Sequence, residues 1–271
     1  MPSNDTASSR TNTLQVWRRD TPRSEAPRVS VIVPVLQEEK LLAQSLSLFT
    51  PELRERYKLE LIVSDGGSTD ATVAIAKEYA DVVVVHTEPR RQTIAEGRNR
   101  GAEFASSSTF VFLNGDSFPA LPTVFFDFVE EWSGTKGKYA RHAVMACPVE
   151  VLPNERKWSD VLFHSFFNTV LKVLTLMNFG VGRGECQIVK RETFLAVGGY
   201  NARLAAGEDF DFIARIARNN TVAIANELLV YESPRRYRRH GYVPILWSWF
   251  MNWVGASLFQ RSFSREWTVV R

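Results

Sequence analysis

Two short apolar runs, each leading to a carboxylate beside glycine, constrain this chain more than any other feature. Leu61-Ile62-Val63-Ser64-Asp65 opens onto Gly66-Gly67, and Phe110-Val111-Phe112-Leu113 passes through Asn114-Gly115 to Asp116. Buried strands of a parallel sheet have this apolar, β-branched character, and ligands gather just past their carboxyl ends. A third acidic station, Glu208-Asp209, begins Phe210-Asp211-Phe212-Ile213. Three carboxylate stations on one sheet edge suit a phosphate-bearing ligand held by a divalent cation, with a base that deprotonates an acceptor.

The rest of the chain alternates between the two periods. Residues 29–35 read as a first buried strand, and Leu41, Leu42, Leu46 and Phe49 recur at helical spacing up to Pro51, where that helix should stop. Residues 59–64 make a second strand, and Thr69 or Asp70 caps a helix through 71–76. A third strand over 81–86, a helix around 98–105 and a fourth strand over 110–113 follow. After Pro122 the pattern changes. Phe125, Phe126, Phe128, Val129 and Trp132 suggest one more helix, and 139–152 extended sheet. Phe163, Phe166, Phe167, Val170, Leu171, Leu174 and Met177 mark a strongly apolar helical face; 186–189 returns to strand, and 209–217 is helical. The expected class is α/β, Rossmann-like: a mostly parallel central sheet flanked by helices, with right-handed crossovers.

Three segments are expected: a flexible tail over 1–27, rich in Ser, Thr, Arg and Pro; a sheet domain over 28–220; and a C-terminal extension over 221–271. With 271 residues and 45% hydrophobic content, the chain has ample material for one large core. A net charge of +3 gives no strong field for nucleic acid. Cys147 and Cys186 have no metal spacing, which argues for a reducing compartment and against a disulfide scaffold. Four histidines, none paired, argue against zinc. Residues 1–13 lack the apolar core of a secretory signal, so a cytoplasmic location is expected.

Two common nucleotide sites are excluded. A dinucleotide site needs Gly-x-Gly-x-x-Gly directly after the first strand, where this chain has Pro34-Val35-Leu36-Gln37-Glu38-Glu39. A phosphate loop ending in Gly-Lys-Ser/Thr is missing as well. The same gap argues against a sugar-phosphate nucleotidyltransferase, which expects a glycine-rich, basic loop there.

Taken in order, residues 31–39, Val63 through Asp70, Gly97-Arg98-Asn99-Arg100-Gly101-Ala102, Phe112 through Asp116, Val197-Gly198-Gly199-Tyr200 and Gly207-Glu208-Asp209 resemble the family 2 glycosyltransferases of the GT-A fold. The resemblance covers roughly residues 28 to 218. Ser233-Pro234-Arg235-Arg236-Tyr237-Arg238-Arg239-His240-Gly241 also resembles a C-terminal signature of small bacterial and archaeal members. The resemblance implies an inverting, hexosyltransferase-like enzyme. It would move a sugar from a nucleotide-diphosphate sugar to an acceptor hydroxyl, with Mg²⁺ or Mn²⁺ as cofactor.

The resemblance also assigns roles. Asp65 accepts hydrogen bonds from the donor's base, and Pro34, Glu38, Ser68, Arg98, Asn114 and Gly115 complete the nucleotide-sugar site. Gln37 stands where the family usually carries Asn. Asn114-Gly115-Asp116 matches the Asp-x-Asp position: Asp116 is the metal ligand, and Asn114 replaces the first acid, losing charge but keeping an amide. Asp209 is the general base, with Glu208 beside it. Each residue also has a plainer reading. Asp65 and the Asn-Gly-Asp run suit turns, Glu38 and Glu208-Asp209 favour helix N-termini, and Arg98 suits a solvated basic loop. A non-catalytic nucleotide-sugar-binding or interaction protein of the same fold is the alternative, and Asn114 is its best support.

Arg235 and Arg236 have three readings: contact with the donor diphosphate, contact with lipid headgroups, or a solvated patch. Nucleic acid is disfavoured because no aromatic platform accompanies the cluster. Residues 242–259 carry no charge but include Trp247, Trp249 and Trp253. Pro244, Asn252 and Gly255 favour an apolar helix lying at an interface over one that spans a bilayer. One reading is a peripheral enzyme on the inner face of the membrane; the other packs this helix on the core or a second subunit. The acceptor class stays open between a glycan, a lipid-linked hydroxyl and a small molecule.

Overall fold

The structure is a computed structural model describing residues 13–20, 25–177, 179–259, 261–264 and 270. In chain order its strands are β1 (Leu14–Arg18), β2 (Val29–Val35), β3 (Leu59–Asp65), β4 (Val82–His86), β5 (Thr109–Leu113), β6 (Ser117–Pro119), β7 (His142–Ala146), β8 (Val149–Val151), β9 (Cys186–Lys190), β10 (Thr221–Ile224) and β11 (Val230–Glu232). The helices are α1 (Leu42–Leu46), α2 (Pro51–Tyr57), α3 (Thr72–Tyr79), α4 (Ile94–Glu103), α5 (Pro122–Ser133), α6 (Trp158–Leu176), α7 (Arg191–Ala196), α8 (Glu208–Ala217), α9 (Arg235–His240) and α10 (Tyr242–Phe259).

An eight-stranded sheet runs in the order β1-β4-β3-β2-β5-β9-β7-β10. β4, β3, β2 and β5 are mutually parallel, and so are β7 and β10; β9 runs antiparallel to both its neighbours. Strand alternation sorts side chains between two cores. Val29, Val31, Val33 and Val35 of β2, with Leu61, Val63, Val111 and Leu113, face α1, α2, α3 and α5. Ile32, Ile62, Phe110 and Phe112 face α4, α7 and α8. Pairing of β2 with β5 stops at Ile32, two residues before Pro34, which has no N–H to give a ladder.

Several boundaries depart from expectation. Part of the expected tail is strand: β1 pairs antiparallel with β4, Leu14 opposite His86, and caps the sheet edge. Residues 1–12 and 21–24 of that tail lie outside the described residues. Pro51 marks the N-terminus of a second helix, with Thr50 Oγ1 accepting from Leu53 N at 3.3 Å. α4 starts earlier than expected because Thr93 and Glu96 form a capping box. The extension expected from residue 221 begins inside the main sheet, since β10 lies parallel to β7. A four-residue strand next to Asn219-Asn220 is too short to give a clear period.

A small three-stranded sheet, β6-β11-β8, matters most for the site. Its antiparallel register sets Glu232 opposite Ser117, so the segment after Asp116 lies beside the segment leading into α9.

Candidate functional site

The end of β3 turns sharply to present Asp65. The carboxylate is buried, and its Oδ2 accepts from Gly67 N at 2.9 Å and Ser68 N at 2.8 Å. Gly67 has φ of +93°, a conformation that suits glycine. Oδ1 has no hydrogen-bond partner. Burial raises the Asp65 carboxyl against the pull of these donors. Ser68 holds the turn, its hydroxyl accepting from Gln37 N at 2.7 Å. Gln37 sits at φ of +59°, in the left-handed region that asparagine adopts more readily than glutamine.

α4 carries Arg98 into the interior. Gly101 makes this possible, because a Cβ there would lie 2.4 Å from Ile32 Cγ2. Arg98 Nη1 donates to Glu208 Oε1 at 2.7 Å; Nη2 donates to Asn114 Oδ1 at 3.1 Å and to Gly184 O at 2.6 Å. The guanidinium also lies over the Tyr200 ring. Asn99 fixes that tyrosine, accepting from its N–H and donating to its carbonyl, both at 2.8 Å. Arg98 is therefore a buried strut joining α4, β5 and α8.

Asp116 follows β5 and faces Arg235 at the start of α9. Arg235 Nη2 donates to both Glu38 oxygens, at 2.5 and 2.6 Å, and to Asp116 Oδ2 at 3.1 Å. Gly115 lets the loop approach β2, since a Cβ there would meet Val35 Cγ1 at 2.9 Å. Pro34, Glu38, Asn114, Gly115, Asp116, Arg235 and Arg236 line one pocket of about 320 Å³, with Ser64 and Gly66 flanking Asp65. A lipid-headgroup contact at Arg235 is contradicted by this placement, because its guanidinium is engaged inside the pocket. Arg236 lines the same pocket, while Arg238 turns away to Asp160, 2.5 Å from Nη2.

A smaller pocket adjoins the first at Ile94, Asn114 and Glu185. Glu208 and Asp209 line it, together with Arg98, Gly184, Phe167 of α6 and Trp249 and Asn252 of α10. Gly207 precedes the acids at φ of +80°, which starts α8 at the pocket floor. Burial and the neighbouring Glu208 push the Asp209 carboxyl up to about 8, opposed by Arg98.

The motif series did not reveal one cluster. Buried Arg183 donates to Glu185 Oε1 at 2.7 Å, Glu232 Oε1 at 2.6 Å, Tyr237 Oη at 3.1 Å and His164 Nδ1 at 3.0 Å. Burial, then Arg183, lower His164 to about 3, so it stays neutral and accepts at Nδ1. Arg183 holds Glu185 low, whereas burial pushes Glu232 up to about 8. The one available sequence signal was Arg183-Gly184-Glu185 directly before an apolar strand.

The model of the family described as glycosyl transferase family 2 matches residues 30–195. The glycosyltransferase AglE of Haloferax volcanii is 34% identical over 99 residues, covering 35% of this chain and 33% of that protein. A PGL/p-HBAD biosynthesis glycosyltransferase of Mycobacterium bovis is 26% identical over 201 residues, covering 72% and 71%. Among solved structures, the mannosyltransferase PcManGT from Pyrobaculum calidifontis, in complex with GDP-Man and Mn²⁺, matches with a TM-score of 0.58 at 22% identity, over 78% of this chain and 58% of that one. The match to AglE thus spans about a third of that relative's length. The structural likeness identifies the fold as GT-A.

Proposed function

The chain belongs to glycosyl transferase family 2, and from that membership we propose that it transfers a sugar, with inversion, from a nucleotide-diphosphate sugar to an acceptor hydroxyl. The observation that carries the reading is the pair of adjoining pockets: Glu38 and Asp116 line one, Asp209 the other, and Asn114 and Glu185 stand between them.

In this reading the donor lies in the larger pocket. Asp65, with one buried oxygen free of hydrogen bonds, takes the base edge. Arg235 and Arg236 meet the diphosphate. Asp209 takes the acceptor's proton as the acceptor oxygen bonds to the anomeric carbon. The bond from that carbon to the diphosphate breaks on the opposite face, and its electron pair leaves with the nucleotide. Arg98 and Glu208 hold the base in place.

The residues fit a hard divalent cation. Three carboxylate oxygens of Glu38 and Asp116 converge on one Arg235 nitrogen, and oxygen donors suit Mg²⁺ or Mn²⁺. Among the described residues no cluster of three or more His, Cys, Asp or Glu makes a complete metal site. Asp116, with Glu38, would therefore hold the ion together with the donor's own phosphate oxygens. When bound, the ion neutralises charge on the leaving diphosphate. The bound GDP-Man and Mn²⁺ of PcManGT accord with this chemistry.

The test is binding and hydrolysis of a panel of nucleotide sugars with Mg²⁺ or Mn²⁺. Asp116→Ala is expected to lose metal-dependent binding, and Asp209→Ala to bind donor without turning it over. If no nucleotide sugar binds with either metal, the non-catalytic alternative replaces this reading.

A further inference from the structure

α6 and α10 meet through aromatic side chains. Phe163 meets Tyr242 at a ring separation of 4.6 Å, and Phe167 meets Trp249 at 5.2 Å, which makes an aromatic seam over Tyr237 and Ile245. On one side of the seam α6 exposes Trp158 (73%), Leu162, Phe166 (65%), Val173 and Leu176 (87%). On the other, α10 exposes Val243 (77%), Trp247 (64%) and Phe250. The spacings, 158-162-166-173 and 243-247-250, are those of one helical face each. Two apolar stripes turned outward from neighbouring helices exceed the scattered apolar residues of an ordinary surface.

The charge around this face is mostly positive. α9 and α10 contain no acid, and the single acid of α6, Asp160, is buried against Arg238. Lys157 at the start of α6, Arg239 and His240 before α10, and Arg261 after it are all exposed. In the loop before α6, Arg156 pairs with Glu150 and exposed Glu155 offsets part of the positive charge. Among the described residues, no helix is long and apolar enough to cross a membrane.

We propose that the outward face of α6 and α10 is a docking surface for an anionic lipid bilayer. The aromatic and aliphatic stripes enter the headgroup boundary, where tryptophan is favoured, and the flanking cations meet the anionic headgroups. Phe167 and Trp249, at the seam, are also walls of the pocket that holds Asp209. Docking therefore brings that pocket close to the lipid surface. The surface stands on its own geometry, whatever the neighbouring pocket transfers.

The experiment is flotation of the full chain with vesicles of phosphatidylcholine, with and without phosphatidylglycerol. It is repeated for the triple variant Trp158→Ser, Phe166→Ser, Trp247→Ser and for the charge variant Lys157→Glu, Arg239→Glu. Wild type is expected to float with the anionic vesicles and at least tenfold less with phosphatidylcholine alone. Both variants lose at least tenfold in binding, while their melting temperature and nucleotide-sugar hydrolysis in solution stay unchanged. Hydrolysis separates a failure of docking from a failure of the transferase reading. Absence of flotation with anionic vesicles overturns the proposal. So does a wild-type dimer in analytical ultracentrifugation that the triple variant splits, since a second copy would then cover the face.

Discussion

Arg98 has more acceptors than one charge needs: Glu208, Asn114 and the Gly184 carbonyl share it. Asn114 therefore provides an oxygen without a second negative charge beside Glu208 and Asp209. Asn114→Asp restores that charge two residues from Asp116, and Mn²⁺ affinity in the presence of nucleoside diphosphate is expected to rise several-fold. Electron paramagnetic titration of free Mn²⁺ checks this; unchanged affinity would mean that position 114 does not sense the ion. Asp209 sets a pH dependence of opposite sign for stability and for activity. Its folded pKa of about 8 lies above the unfolded value near 4, so its stabilising contribution is complete below about pH 4 and is lost as pH climbs through about 8. As the proposed base it would work only when ionised, so donor turnover per free enzyme is expected to rise along a limb centred near pH 8. Asp209→Asn should abolish the limb and raise the melting temperature at pH 9 by about 2–4 °C, a gain on the order of 1 kcal/mol. A limb that survives in this variant belongs to another group.

At the scale of elements, close packing of α4 on β2 and β3 aims Arg98. Gly101→Ala adds a methyl against Ile32 Cγ2, a branched side chain in the middle of the sheet that cannot swing aside. Overpacking of this kind costs about 1–3 kcal/mol and tilts the helix that carries the guanidinium. Thermal unfolding should show a loss of several degrees, and donor hydrolysis should fall by more than the lost stability explains. A double-mutant cycle with Ile32→Ala isolates the clash: strong coupling between the two positions is expected, and simple additivity would place the strain elsewhere. The same close approach explains why this element was legible from its motif while its start was not. Gly97 through Ala102 is distinctive in sequence, whereas the Thr93/Glu96 capping box that begins the helix hides in a loop rich in polar residues. The buried strands β2, β3 and β5 were legible for the reason they are stable, since each is dominated by apolar residues, with few polar ones among them. Short β6, β8, β10 and β11 depend on partners far along the chain and carry no period of their own.

At the scale of the whole molecule, the site is stitched from both ends of the fold. Glu38 and Arg235 are 197 residues apart, and the register of β6 with β11 brings Arg235 to Asp116. Sequence motifs named each acid and left Arg235 and Arg236 with three readings, because a cluster of four arginines gives no sign of which one turns inward. Buried Arg183 was hidden for a different reason, since a lone arginine between Gly182 and Gly184 gives little sign of burial. The Arg235 contact has a measurable consequence. A guanidinium bridging Glu38 and Asp116 would compete with a divalent cation for the same oxygens, so in the proposed reading the ion arrives with a diphosphate that draws the arginine away. Arg235→Ala removes that competition and leaves two partly buried carboxylates facing each other with one cation fewer. Mn²⁺ affinity without nucleotide is expected to rise roughly tenfold, about 1.4 kcal/mol, while affinity for the nucleoside diphosphate falls by a similar factor as its partner is lost. Calorimetric titration of each ligand separately reads the two effects. If both affinities fall together, Arg235 supports the pocket without competing for its acids, and the ion is held by Asp116 and the phosphates alone.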